Sequence, residues 1–139
     1  MIEESTTPDL TMLVDRAVDA MSAQDFEAVM SFYAPDAVFD TGPLGSIYEG
    51  RAAIRGFLED WIGAYEDYDL EAEEIRDLGA GVTFGVNAQR GRLPNSTGWV
   101  QTRIADVVTW AGGLIERQTA YTDVDEARAA AERLAQERG

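Results

Sequence analysis

Apolar positions recur every three to four residues from Asp9 onward, at Leu10, Leu13, Val14, Ala17 and Met21. This spacing predicts an amphipathic helix with Asp9 as its N-cap. A second, short helix is predicted over 24–33, with Phe26, Val29, Met30 and Tyr33 on one face, and Ala34-Pro35-Asp36 stops it. Residues 37–41 read as a first strand and Gly42-Pro43-Leu44-Gly45-Ser46 as a loop. Gly50 then opens a third helix whose stripe is Ile54, Phe57, Leu58, Trp61, Ile62 and Tyr65. Beyond it the period changes to two. From Tyr68 to Ile75, Asp69, Glu71 and Glu73 alternate with Leu70 and Ala72, the pattern of a half-buried strand with an acidic outer face. Three longer strands are predicted at 81–92, 98–111 and 113–122, with turns at Pro94-Asn95-Ser96 and Ala111-Gly112-Gly113, and an Ala-rich helix over 124–138 closes the chain.

Two helices, a strand, a helix, a four-stranded antiparallel meander and a tail helix make an α+β fold, with the helices expected on one side of the sheet. The 139 residues suffice for one core of ordinary size. A single domain is placed at 9–139, after a polar tail at 1–8 expected to be disordered.

The same period-two reasoning singles out one residue. On the strand around residue 100, Val100, Thr102, Ile104, Asp106, Val108 and Trp110 share one face, and Trp99, Gln101, Arg103, Ala105, Val107 and Thr109 share the other. The first set is the more apolar and is assigned to the core, which leaves Asp106 as the one charged residue on a buried face. A carboxyl there must be paired, hydrogen-bonded or protonated, and burial raises its pKa. It can then donate to a carbonyl or move a proton near neutral pH. The structural alternatives are an Arg partner, or a bulge that turns Asp106 to solvent.

Composition narrows the chemistry available to such a site. The chain has no Cys and no His, and all eleven basic residues are Arg. Thiol nucleophiles, thiolate metal sites, imidazole relays, lysine Schiff bases and P-loops are therefore excluded. Catalysis rests on Asp, Glu, Tyr, Arg or neutral groups, and no cofactor or metal is expected. The net charge of −15 speaks against nucleic acid and anionic membrane surfaces as partners. With no signal-like start and no long apolar run, the expected location is cytoplasmic. Exclusive use of Arg with abundant Ala and Gly suggests a GC-rich, bacterial source.

Other positions carry weaker signals. Asp40 ends the first strand on the face opposite Phe39 and Thr41 and reads as an outward or capping residue. Gln118 suits a neutral hydrogen-bonding role if its face looks inward, and is a solvated edge residue otherwise. Phe57, Trp61 and Tyr65 are either core or one wall of a pocket. The run 66–74 lacks the glycine and spacing of a calcium loop and reads as a charged edge strand. Gly79-Ala80-Gly81 starts a hairpin and is no dinucleotide fingerprint.

Three segments, Tyr33-Ala34-Pro35-Asp36-Ala37-Val38-Phe39, Tyr48-Glu49-Gly50-Arg51-Ala52-Ala53-Ile54-Arg55-Gly56-Phe57, and Gly113-Leu114-Ile115-Glu116-Arg117 leading to Tyr121-Thr122-Asp123, resemble the SnoaL-like branch of the NTF2-like superfamily. The resemblance, over roughly 10–135, implies a cone in which helices wrap a curved sheet around an apolar pocket, with dimerisation through the outer sheet face. Trp99 and Val107 are expected on that face. The resemblance matches Asp106 to the protonated Asp of ketosteroid isomerases, but matches their general base to Thr41 and their oxyanion Tyr to Ala17. The epoxide hydrolases' Asp matches Ala120, and their Arg/Asp pair falls near Val86 and Ala88. SnoaL-type cyclases employ an Asp with His helpers, of which only the Asp is available. Phe39, Thr41 and Gln118 match pocket-lining positions.

Two functions compete. The first is a cofactor-independent isomerase, cyclase or dehydratase acting on a small hydrophobic cyclic carbonyl metabolite, with Asp106 catalytic, Thr41 and Gln118 orienting, and Phe39, Phe57, Trp61, Val108 and Trp110 binding. The second is a non-catalytic binding protein for a small hydrophobic molecule. A third reading, a homodimer whose pocket is filled by its own aromatics, requires that no void lie beside Asp106.

Overall fold

The chain forms four helices and six strands in a computed structural model that describes residues 9–139; the tail expected at 1–8 lies outside the described residues. The order is α1 (Leu10–Ser22), α2 (Phe26–Met30), β1 (Tyr33–Asp40), β2 (Ile47–Glu49), α3 (Arg51–Trp61), β3 (Asp67–Gly79), β4 (Val82–Arg92), β5 (Val100–Ala111), β6 (Leu114–Tyr121) and α4 (Val124–Arg138). The strands make one curved, unclosed sheet in the order β2-β1-β6-β5-β4-β3. The predicted meander β3–β6 is antiparallel throughout, whereas β1 lies parallel to β6.

Local chemistry sets the boundaries. Asp9, Asp25 and Asp123 each accept a backbone N–H at the start of α1, α2 and α4, satisfying donors that the first helical turn leaves free. The second helix is shorter than its periodicity predicts, ending at Met30, and β1 begins at Tyr33 rather than at residue 37. Pro35 disfavours helical backbone at Ala34, and the Phe32 carbonyl accepts from the Ile115 N–H of β6. Tyr33 is in phase with the helical stripe, but it points inward from a strand. The third helix ends at Trp61, so Tyr65 leaves its stripe and packs beside Tyr68. The three-residue β2, paired to β1, falls in a stretch with no strand signal.

The helices do not all lie on one side. Helices α1–α3 cover the inner face of the sheet, where Val29, Tyr33, Ile54, Leu58, Ile62 and Trp110 form the larger core. Helix α4 covers the outer face. Its Ala127 and Ala131, fully buried, pack on Val82, Phe84, Val86, Ala105 and Val107. Each such large side chain contributes about 1.5–3 kcal/mol on burial. Val107 is therefore not on a free outer face as expected, but beneath the chain's own last helix; the alternation of β5 holds from Ile104 to Trp110, where both faces are covered, whereas Val100 and Thr102, assigned to the core face, are exposed at the strand's start. Trp99 remains 42% exposed, with the Arg90 guanidinium 3.9 Å from its ring centre.

The acidic strand β3 is an edge strand with its carboxylates outward, as its alternation predicts. Much of that charge is paired: Glu73 with Arg103, Glu74 with Arg76 and Arg128, and Asp67 with Arg92. Among the described residues, no helix is long and apolar enough to cross a membrane.

Candidate functional site

Between the inner face of the sheet and helices α1 and α3 lies a cavity of about 290 Å³. A void therefore does lie beside Asp106, against the reading of a pocket filled by its own aromatics. Asp106 is the only charged residue among the described residues that line it. All eight site residues proposed from the sequence border this cavity: Phe39, Thr41, Phe57, Trp61, Asp106, Val108, Trp110 and Gln118. One wall is aromatic, with Phe57 packed edge-on to Phe39, stacked on Tyr48 at 4.6 Å and tilted against Trp61.

The register of the sheet explains how Asp106 is held. Directly across from it stand Gly85 on β4 and Ala120 on β6, too small to fill the space around the carboxyl. Its partners come from two residues further along each neighbouring strand, on the same face. Asn87 Nδ2 donates to Oδ2 at 3.2 Å, and Gln118 Nε2 donates to Oδ1 at 3.1 Å. Neither expected structural alternative is seen, since no Arg pairs with Asp106 and β5 runs through it in register with both neighbours. Burial pushes the Asp106 pKa up from 3.8 to about 6, against the lowering effect of the hydrogen bonds from Gln118 and Asn87. Two of the carboxylate's roughly four lone-pair positions are used, which leaves the others for a ligand.

Three further polar pairs lie along the cavity. The Tyr33 hydroxyl donates to Gln118 Oε1 at 2.5 Å, the Tyr68 hydroxyl to Gln89 Oε1 at 2.9 Å, and the Trp110 indole N–H to Thr83 Oγ1 at 2.9 Å. Burial pushes the Tyr33 and Tyr68 hydroxyls well above their usual range, so both stay neutral.

Thr41 borders the cavity, but its hydroxyl is committed elsewhere: it donates to the Ser46 carbonyl at 2.7 Å and accepts from the Ser46 N–H. That bond closes the loop after β1, where Gly42 has φ +60° and a Cβ would fall 2.2 Å from the Ala120 carbonyl oxygen. Thr41 is thus a loop-fixing residue whose hydroxyl has no proton left to donate to a ligand. Asp40 is outside the cavity, accepting from the Gly42 N–H and pairing with Arg117, in keeping with an outward, capping role.

Five participants escaped the sequence reading: Tyr33, Tyr68, Thr83, Asn87 and Gln89. Asn87 had a usable signal. On β4, Thr83, Gly85, Asn87 and Gln89 alternate with Val82, Phe84 and Val86, a polar set against an apolar one. Here the polar set faces the cavity and the apolar set faces α4. Val86, to which resemblance carried part of the epoxide hydrolases' pair, therefore points away from the cavity. Tyr33 had no such signal, because its spacing fits a helix. Among the described residues, no group of three or more acidic side chains converges as a metal-ligand set.

A family model of the SnoaL-like domain matches residues 14–118. A search of curated proteins finds no match. Solved structures similar to this chain include a Catenulispora acidiphila protein with a ketosteroid isomerase-like fold in complex with trimethylamine (16% identity, 91% of this chain and 94% of that chain covered, TM-score 0.72). A Sinorhizobium meliloti protein described as a polyketide cyclase is 25% identical, with 86% and 100% covered and a TM-score of 0.66. A Shewanella putrefaciens protein described as a SnoaL-like polyketide cyclase is 14% identical, with 92% and 98% covered and a TM-score of 0.69.

Proposed function

From the premise that the chain belongs to the SnoaL-like domain family, we propose that it catalyses proton transfer on a small, uncharged, hydrophobic cyclic carbonyl compound, as an isomerase, cyclase or dehydratase would. The observation that carries this reading is a carboxyl held by two neutral amides in a cavity that is otherwise uncharged among the described residues; burial raises its pKa to about 6. Such a group is present in both protonation states near neutral pH, the condition for an efficient acid–base catalyst.

In the step we propose, the ionised Asp106 takes a proton from the carbon next to the carbonyl. The C–H bond breaks, an O–H bond forms on Asp106, and the electron pair moves onto the carbonyl oxygen as an enolate. Asp106 then returns the proton to the same or a conjugated carbon, so that nothing is consumed. Asn87 and Gln118 each have a second amide N–H beyond the one given to Asp106, and these are the neutral donors available to the enolate oxygen. The aromatic wall of Phe39, Phe57 and Trp61 takes the hydrocarbon ring.

Deuterium incorporation next to the carbonyl of a small cyclic enone in D₂O, followed by NMR, tests this. The wild-type protein is expected to accelerate exchange, and Asp106→Asn to lose about a hundredfold or more of that acceleration. Equal exchange with both proteins sinks the proposal. A second reading, a protein that binds an apolar molecule without transforming it, is favoured by the commitment of the Thr41 hydroxyl to Ser46, which leaves Asp106 without a second catalytic side chain from that loop. Saturable binding of the enone, with no exchange by either protein, supports it.

A further inference from the structure

The amide of Gln118 sits between two groups that could each take either of its ends. A protonated Asp106 can donate its proton to the Gln118 carbonyl, to the Asn87 carbonyl on its other side if that amide turns over, or into the cavity. In the first case Gln118 must turn over, so that its N–H₂ faces Tyr33 and its oxygen faces Asp106. The proton is then consumed inside the protein and is lost to a ligand. Resting on the acid–base reading of Asp106, we propose that Tyr33 is the positioning residue that prevents this reversal. By donating its only hydroxyl proton to Gln118 Oε1, it keeps the amide N–H₂ on Asp106 Oδ1 and the Asp106 proton off the Gln118 side.

The geometry supports this at each link. The Tyr33–Gln118 bond, at 2.5 Å, is short, and the Gln118–Asp106 bond is 3.1 Å. Tyr33 is 2% exposed, so no water competes for its hydroxyl. Its backbone is fixed from both sides: Arg51 Nε, at the start of α3, donates to the Tyr33 carbonyl at 2.8 Å, and the strand pairs with Ile115 of β6. Parallel pairing of β1 with β6 sets Tyr33 opposite Ile115, three residues from Gln118 on the same neighbouring strand, and the register shifts between Tyr33 and Val38. An apolar side chain at 33 would fill the same core space and leave the amide free to rotate.

The other titratable groups facing the cavity, among the described residues, are tyrosines. From β1 there is only Tyr33, from β3 only Tyr68, and from β6 only Tyr121; α1, α3 and β4 contribute none among the described residues. Tyr33 and Tyr68 are both held neutral by burial.

The test is the Asp106 pKa, read by ¹³C NMR of its carboxyl carbon in the ligand-free protein. Tyr33→Phe keeps the ring in the core and removes the hydroxyl. It is expected to raise the Asp106 pKa by about one unit, because the freed Gln118 oxygen can then accept from the protonated form. In a Gln118→Leu background the same Tyr33→Phe change is expected to add no shift, since its effect passes through the amide. An unchanged pKa in Tyr33→Phe, or an equal shift in both backgrounds, overturns the proposal. Should Tyr33→Phe fail to fold, the wild-type Tyr33 hydroxyl proton gives the answer: its hydrogen-bonded NMR signal is expected to persist on both sides of the Asp106 titration. Its disappearance on the acid side shows Gln118 reversing and overturns the proposal equally. None of these measurements uses a substrate, so they stand or fall separately from the enone-exchange experiment.

Discussion

The two faces of the central strands β4 and β5 are built from adjacent residues and do opposite work. On the outer face, Val82, Phe84, Val86, Ala105 and Val107 meet the small side chains of α4 in a closely packed, apolar contact. On the inner face, Thr83, Asn87, Gln89, Thr102 and Asp106 look into a cavity of about 290 Å³. The outer face gains stability from exclusion of water; the inner face gives some up to hold polar groups and empty space. The difference shows how a small domain keeps an open pocket: the second layer, supplied by α4, closes the sheet on the side away from the cavity.

The largest effect that can break this contrast is expected on the outer face. Phe84 is 1% exposed and carries the Arg128 guanidinium 4.7 Å from its ring centre. Phe84→Ala should cost about 3–5 kcal/mol in denaturant unfolding while leaving the Asp106 titration where it was. A cost under about 1 kcal/mol would mean that α4 is not the structural layer described.

The next effect sharpens the contrast from the inner face. Asp106 has a folded pKa near 6, above its unfolded value, so the folded state holds the proton more tightly. Its contribution to stability is complete below the unfolded value and is lost as pH rises through about 6. Wild-type protein should therefore lose up to about 3 kcal/mol between pH 4 and 7 from this group. Asp106→Asn should lack that step and gain on the wild type as pH rises. Parallel stability curves for the two proteins would show that Asp106 is not the source.

The smallest effect lies at the rim. Glu74 is held down at about 2 by hydrogen bonds from Arg128 and then Arg76. Its pKa is lowered on folding, so its contribution is present above the ordinary carboxylate range and lost as pH falls toward 2. Arg128→Gln should make the acid limb of the stability curve slightly shallower, as read by circular dichroism at low salt. High salt should erase the difference.

Much of the pattern was legible in the residues. The period of two on β5 placed Asp106 with Val108 and Trp110 on one face, and the antiparallel meander and the bounds of α4 followed from periodicity and turn residues. Other features were not. Tyr33 fits a helical stripe as well as it fits a strand, and only Pro35 together with the Phe32–Ile115 bond decides between them. Val107 was placed correctly by alternation on the face away from Asp106, but nothing in β5 says that α4 will cover it.

The division has a physical basis. Which face of a strand a side chain takes is fixed by covalent geometry, so the sequence by itself assigned Asp106 to the inner set and the charged residues of β3 to the outer one. Which residues meet across strands depends on register and on how the whole sheet packs. The diagonal bonds from Asn87 and Gln118, and the reach of Tyr33 across 85 positions to Gln118, were therefore decided only by the tertiary structure.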